Sequence, residues 1–350
     1  MTKEVKIGNL KIGGNNPVRI KGMLKTSTGD IKALIKEAIV LEKEGVEAIR
    51  LAVKDKKDIK IIPILKKHLS VPIVADVHFQ PLIALLAIEE GIDCLRLNPL
   101  NIDKAKDVRQ IVRAAKNYGI SIRVGINSGG FKRDFSTNKS LAKEMVKKCE
   151  NYLKLLEGEN FFDIMVSFKG SDVISTIEAN KIFSEKFDYP LHLGITAAGP
   201  FFDGVIKSSI GLGNLLYQGI GDVIRVSLTS PSFWEIRAAK QILQSLNLRK
   251  FGPEIISCPT CSRCSVDLIK IVDKFSKKLK KNNFKKQINI AIMGCVVNGP
   301  GEAYQADIGV AFGNKRAAIF KKNKILGWTN EDNVIIDLLK FIDKDQDTKG

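Results

Sequence analysis

Residues 18–245 alternate short, β-rich apolar runs with longer stretches whose apolar positions recur every three or four residues. The short runs predict strands at 18–22 (VRIKG), 47–53 (EAIRLAV), 72–77 (PIVADV) and 93–98 (DCLRLN). They continue at 121–126 (SIRVGI), 162–168 (FDIMVSF), 191–196 (LHLGIT) and 222–228 (DVIRVSL). Between them, patterns such as 31–45 and 140–158 predict helices. Eight strands, each followed by a helix, is the count of a TIM (β/α)8 barrel in the α/β class. An open doubly wound sheet needs a glycine-rich turn behind an early strand, whereas Gly211 and Gly213 come late and follow no strand. Gly252-Pro253 breaks the alternation. It predicts a barrel domain over 1–250 and a small α+β domain over 251–350, ending in a frayed charged tail.

Four predicted strands hold an arginine inside an apolar run: Arg50, Arg96, Arg123 and Arg225. The chain has only 12 arginines, so this placement asks for a reason. A guanidinium keeps its charge, and burying it unpaired is strongly unfavourable. Asp76 and Asp222 could pair with some of the four, but acids are too few for all. An anion in the barrel mouth, phosphate or diphosphate, is the expected partner. Asp76, His78, Asn98, Asn127, Lys169, His192, Thr196 and Ser227 fall near strand ends, where barrel active sites gather. His68 precedes a strand and is expected at the surface.

Of six cysteines, four lie near the C-terminus: Cys258, Cys261 and Cys264 in CPTCSRC, and Cys295 in MGCVVNGPGEA. CxxC spacing places thiolates for one metal or one cluster. Four cysteines could close a structural zinc site, or carry a [4Fe-4S] cluster. Gly294, Gly299 and Gly301 favour the cluster, because backbone N–H groups can then approach bridging sulfides. Cys94 and Cys149 read as core fillers.

Composition adds little to the class: 44% of the 350 residues are hydrophobic and 27% charged. No apolar run approaches a membrane span, and the N-terminus has no apolar leader, so a cytoplasmic location is expected. The net charge of +18 comes from 44 lysines against 12 arginines. It reflects either compositional bias or a basic face for an acidic partner. The lysines are scattered among acids and match no nucleic-acid motif.

The ordered motifs ADVHF, LRLNP, RVGINSGG, SFKGSD, HLGIT, KSSIGLG, GIGDVIRVSLT, SCPTCSR and MGCVVNGPGEA resemble the bacterial 4-hydroxy-3-methylbut-2-enyl diphosphate synthase family. The resemblance spans nearly the whole chain. It implies reductive opening of 2-C-methyl-D-erythritol 2,4-cyclodiphosphate through a [4Fe-4S] cluster, in the non-mevalonate route to isoprenoids. It also implies cluster ligation by Cys258, Cys261, Cys295 and Glu302. The glutamate is the exchangeable ligand that lets one iron act on substrate oxygen. Substrate contacts map to Arg50, Arg96, Arg123, Arg225, Asn127, Lys169 and Ser227, joined here by Asp76, His78 and His192 of the barrel mouth. A flavodoxin or ferredoxin donor and a homodimer follow from the same resemblance.

The chain departs from the family at several points. Gln-Ser-Met-Thr-Asn-Thr reads Lys21-Gly22-Met23-Leu24-Lys25-Thr26, and Asn-Pro-Gly-Asn reads Asn98-Pro99-Leu100-Asn101. Thr-Glu-Ala-Gly reads Thr196-Ala197-Ala198-Gly199, which removes a proton-transfer group. Cys264 is an additional thiol, either idle or a substitute for Glu302. Three alternatives stay open: a divergent relative whose Lys21 and Lys25 serve another phosphorylated substrate, a non-catalytic anion-binding or redox-sensing protein, and a structural zinc protein.

Overall fold

The computed structural model describes all residues except 132–134, 282–283, 285–286, 297–302, 305, 314–315, 322–323 and 348–350. The chain divides into two compact units, Met1–Arg249 and Lys250–Gly350.

The first unit opens with a hairpin that the sequence reading did not anticipate, β1 (Val5–Ile7) and β2 (Leu10–Ile12). Val5, Ile7 and Ile12 pack with Val74, Cys94, Met165 and Val223 at the N-terminal ends of the barrel strands and plug that end. The alternation then runs β3 (Arg19–Met23), α1 (Ile31–Lys43), β4 (Ala48–Val53), α2 (Lys56–Ile59), α3 (Ile61–His68) and β5 (Ile73–Val77). It continues α4 (Pro81–Glu89), β6 (Cys94–Leu97), α5 (Ala105–Asn117), β7 (Ser121–Asn127), α6 (Asn138–Glu157), β8 (Ile164–Lys169) and α7 (Val173–Ser184). β9 (His192–Leu193), α8 (Phe201–Tyr217), β10 (Val223–Ile224) and α9 (Ser232–Ser245) complete it. α1 starts where the Asp30 carboxylate accepts from the Ala33 N–H, satisfying one of the orphan donors of the first turn. α5 buries Val108, Ile111, Val112 and Ala115, the three-four spacing of one helix face.

The eight strands β3–β10 are all parallel, and Val166 bridges Leu191 to join the two ends of the sheet into a barrel. Strands β9 and β10 are shorter than the 191–196 and 222–228 predicted. Gly194 explains this, since its bare α-carbon approaches the Arg225 carbonyl so closely that a β-carbon would lie 2.6 Å from that oxygen. The Arg225 N–H still donates to the Leu193 carbonyl at 3.0 Å, so Arg225 lies just past the ladder. Cys94 and Cys149 are fully buried, as core fillers should be, and His68 is exposed.

The second unit is a five-stranded mixed sheet. β11 (Glu254–Ser257), β12 (Asn289–Met293) and β13 (Ile308–Phe312) are parallel, and β14 (Ala317–Lys321) and β15 (Lys324–Thr329) add antiparallel. α10 (Leu268–Lys281) and α11 (Val334–Asp347) supply Ile271, Phe275, Leu338 and Ile342 to its core. No helix among the described residues is long and apolar enough to cross a membrane.

Candidate active site

Strand register sets the site. Asp76 pairs with Arg96, and Arg96 with Arg123, so β5, β6 and β7 carry one polar row across the barrel. Residues two apart on a strand share a face, so Cys94 lies in the lower apolar plug and Arg96 in the row above it.

Asp76 is the hub. Its Oδ2 accepts from Arg50 Nη2 at 2.5 Å and its Oδ1 from Arg96 Nη1 at 3.2 Å. His78 Nε2 lies 3.2 Å from Oδ2, and its Nδ1 lies 2.6 Å from Asn101 Nδ2. Arg96 Nη1 also lies 3.0 Å from His78 Nε2, so the imidazole is held among Asp76, Arg96 and Asn101. Burial alone would raise the Asp76 carboxyl, but Arg50, the His78 hydrogen bond and Arg96 outweigh it and hold it well below the usual range. Two of the four strand arginines thus have a protein counter-ion.

The other two do not. Arg123 Nη1 donates to His192 Nδ1 at 2.6 Å, and among the described residues neither Arg123 nor Arg225 forms an ion pair. Arg50, Arg123 and Arg225 each keep a buried Nε with no hydrogen-bond partner among the described residues. Asp222, the other acid considered, lies at the opposite end of the barrel and accepts from Thr2 Oγ1 and the Leu191 N–H.

Lys169 Nζ lies 3.2 Å from His192 Nε2 and 3.3 Å from the Leu193 carbonyl. Because arginine cannot accept, His192 Nδ1 must, which places the ring proton on Nε2. Burial first, then the surrounding cations, depresses both His192 and Lys169 well below their ordinary values. Arg225 is pushed down to about 10 by burial and then by Arg50.

Asn127 pairs with Lys169 at the C-terminal ends of β7 and β8, half-buried, and Ser227 is half-buried two residues beyond Arg225. Asn98 instead accepts from the Leu100 N–H at 3.1 Å and shapes its own loop. Thr196 is half-buried, and Ala197 is exposed at a left-handed φ of 49°. The sequence reading passed over Asn101 as a site residue. Its only signal was a place three residues beyond Asn98 in a strand-end loop.

In the second unit, Cys258 follows β11, while Gly294 and Cys295 follow β12, the neighbouring parallel strand. The Gly294 N–H donates to Cys258 Sγ at 3.3 Å, and a β-carbon on Gly294 would lie 2.4 Å from Cys264 Sγ. Thr260 turns the CxxC loop at a left-handed φ of 69°, a conformation that strains a β-branched residue by about 1–3 kcal/mol. Cys261 is exposed, and Cys264 is half-buried with its thiol donating to the Val266 carbonyl at 3.3 Å. Among the described residues no three His, Cys, Asp or Glu side chains are gathered closely enough to hold a metal ion. Glu302, Gly299 and Gly301 lie outside the described residues.

Solved structures of dihydropteroate synthases from Xanthomonas albilineans (11% identity, TM-score 0.53) and Yersinia pestis (12%, 0.54) each cover 71% of this chain. The match takes in 99% and 98% of those chains, and at such identity it shows the barrel fold alone. Relatives called 4-hydroxy-3-methylbut-2-en-1-yl diphosphate synthase (flavodoxin) are far more similar. That of Caldanaerobacter subterraneus is 46% identical over 98% of this chain and 97% of its own, and that of Caldicellulosiruptor saccharolyticus 48% over 98% of each. The family model for the GcpE TIM-barrel domain matches residues 2–240, and that for the GcpE protein C-terminal domain matches 254–344. With a barrel whose polar row is rich in unpaired cations and a C-terminal unit carrying thiols on adjacent strand ends, this chain belongs to the GcpE family.

Proposed function

We propose that the chain reductively opens 2-C-methyl-D-erythritol 2,4-cyclodiphosphate to 4-hydroxy-3-methylbut-2-enyl diphosphate. The carrying observation is the charge imbalance in the barrel. Lys21, Arg50, Arg96, Arg123, Lys169 and Arg225 are gathered within the barrel, while Asp76 is the carboxylate ion-paired with any of them among the described residues. A diphosphate supplies the missing negative charge and fits forked donors. In this reading Arg50 and Arg96 are held in place by Asp76, and Arg123, Arg225 and Lys169 turn their free donors to the phosphates. Asn127 and Ser227 complete the cradle at the strand ends. His78, fixed between Asp76 and Asn101, orients the hub.

The donor set of the C-terminal loop fits a [4Fe-4S] cluster: soft thiols on adjacent strand ends, with the Gly294 N–H turned to Cys258 sulfur. Cys258, Cys261 and Cys295 would hold it, with Glu302 as fourth ligand. When bound, such a cluster supplies single electrons and a Lewis-acidic iron. Overall, two electrons and two protons enter, one oxygen leaves as water, the ring opens and a C=C bond forms. The chain's task is to hold the diphosphate while charge redistributes during that opening. The donor is a flavodoxin-type protein, as in the relatives' name, and the net charge of +18 suits an acidic partner. The family resemblance extends this reading to a homodimer.

The deciding experiment is anaerobic. Purified chain should carry about four iron and four sulfide and turn over the cyclodiphosphate with a chemical reductant. Iron-loaded protein that leaves the cyclodiphosphate intact refutes the substrate, and colourless zinc protein refutes the redox chemistry.

A further inference from the structure

Two lysines four residues apart in and after β3 meet opposite fates. Lys25 Nζ pairs with Glu235 at 2.8 Å and donates to the Leu228 and Ser230 carbonyls, so its charge is spent within the protein. Lys21 is 1% exposed, and its buried Nζ has no hydrogen-bond partner among the described residues. In the ladder Met23 pairs with Arg50 and Lys21 with Ala48, so Lys21 stands one step below the arginine level, over the apolar plug.

The groups around it are Arg50 from β4, Asp76 from β5, Cys94 from β6, Arg123 from β7, and beyond them Lys169 and His192. Asp76 is already engaged by Arg50, Arg96 and His78, and Cys94 is a fully buried thiol whose burial opposes ionisation. The remaining neighbours are cations or a neutral imidazole. A charged ammonium here has nothing to neutralise it until an anion arrives.

Resting on the diphosphate reading of this cavity, we propose that Lys21 is a further anion-binding residue: the floor of the cradle, whose amine takes up one proton and bonds a phosphate oxygen as the diphosphate enters. The proton comes from solvent and ends on Nζ, and no covalent bond to the substrate forms. Burial and the nearby Arg123 favour the neutral amine beforehand, in keeping with this coupling. Lys21 thereby links substrate affinity to pH and gives the site one more positive charge than its arginines supply.

The test uses full-length, cluster-loaded protein and inorganic pyrophosphate as probe, with Lys21→Met and Lys21→Gln variants. At pH 7 both variants should bind pyrophosphate roughly ten- to a hundred-fold more weakly, the loss of one charge-assisted hydrogen bond. Calorimetry in two buffers of different ionisation enthalpy should show the wild type taking up more protons per bound pyrophosphate than Lys21→Met, by close to one. Unliganded Lys21→Met should melt higher than wild type, because a strained buried amine is gone. This pairing of higher stability with weaker binding separates a ligand role from a packing role. Wild-type affinity and unchanged proton uptake in both variants would overturn the Lys21 assignment. If Arg123→Met then abolishes binding, the diphosphate cradle itself survives. If the wild type fails to bind pyrophosphate at all, both the cradle and Lys21's part in it fall.

Discussion

Arg96 lies across the bare α-carbon of Gly125: its Nη2 donates to the Gly125 carbonyl at 2.9 Å, and a β-carbon there would sit 2.8 Å from its Nε. The glycine in RVGIN is thus the space that lets a guanidinium lie flat inside the barrel and still reach Asp76. Gly125→Ala should push Arg96 off the carboxylate. Overpacking of this kind costs about 1–3 kcal/mol, read by denaturant unfolding, and KM for the cyclodiphosphate should rise. Unchanged stability and KM would show that Arg96 has room to move.

Asp76→Asn leaves Arg50 and the buried Arg96 without a counter-ion. Breaking a buried pair from one side costs about 3–5 kcal/mol. The Asp76 carboxyl is depressed, so its contribution to stability is complete above its ordinary range and declines as pH falls below about 4. Acid unfolding of the Asp76→Asn variant should therefore lose that limb. Identical acid profiles for the two proteins would remove Asp76 as the hub.

His192 is buried as a neutral ring with a depressed pKa. The unfolded chain takes up the proton first, so stability is intact above about pH 6.5 and is lost as pH falls below it. His192→Gln should flatten this loss between about pH 6.5 and 5 in urea midpoints. A variant that stays as acid-sensitive as wild type argues against a neutral His192.

Cys264 donates its thiol to the Val266 carbonyl and packs against Gly294, whereas Cys261 is exposed. Cys264→Ser should keep about four iron per chain and the brown absorbance, while Cys258→Ser and Cys295→Ser should lose both. Loss of iron in Cys264→Ser would make Cys264 the fourth ligand in place of Glu302.

Ala197 is exposed, already left-handed at φ 49°, and adjacent to the half-buried Thr196. Ala197→Glu should raise kcat, since general acid–base help is typically worth about 10²–10⁴-fold. No change in kcat would mean that proton transfer in this chain does not run through residue 197.

The barrel was legible because its signals are local. Strand and helix periods follow from each segment's own face, and eight repeats leave few arrangements. The four strand arginines and the CxxC spacing were equally visible, because a charge inside an apolar run or thiols one turn apart are anomalies wherever the chain folds. The N-terminal hairpin was missed since two three-residue strands carry almost no period. Arg225 slipped past the end of its ladder because the approach of Gly194 to it is a contact between strands.

By itself the sequence determined the alternation, the cation-rich strands and the clustered thiols, all properties of residues and their near neighbours. The tertiary structure alone decided how charge is shared among them. Arg50 and Arg96 pair with Asp76 and Arg123 does not; Lys25 reaches Glu235, while Lys21 Nζ has no hydrogen-bond partner among the described residues. Those outcomes depend on register between strands far apart in the chain and on the removal of water, neither of which is written in any one segment.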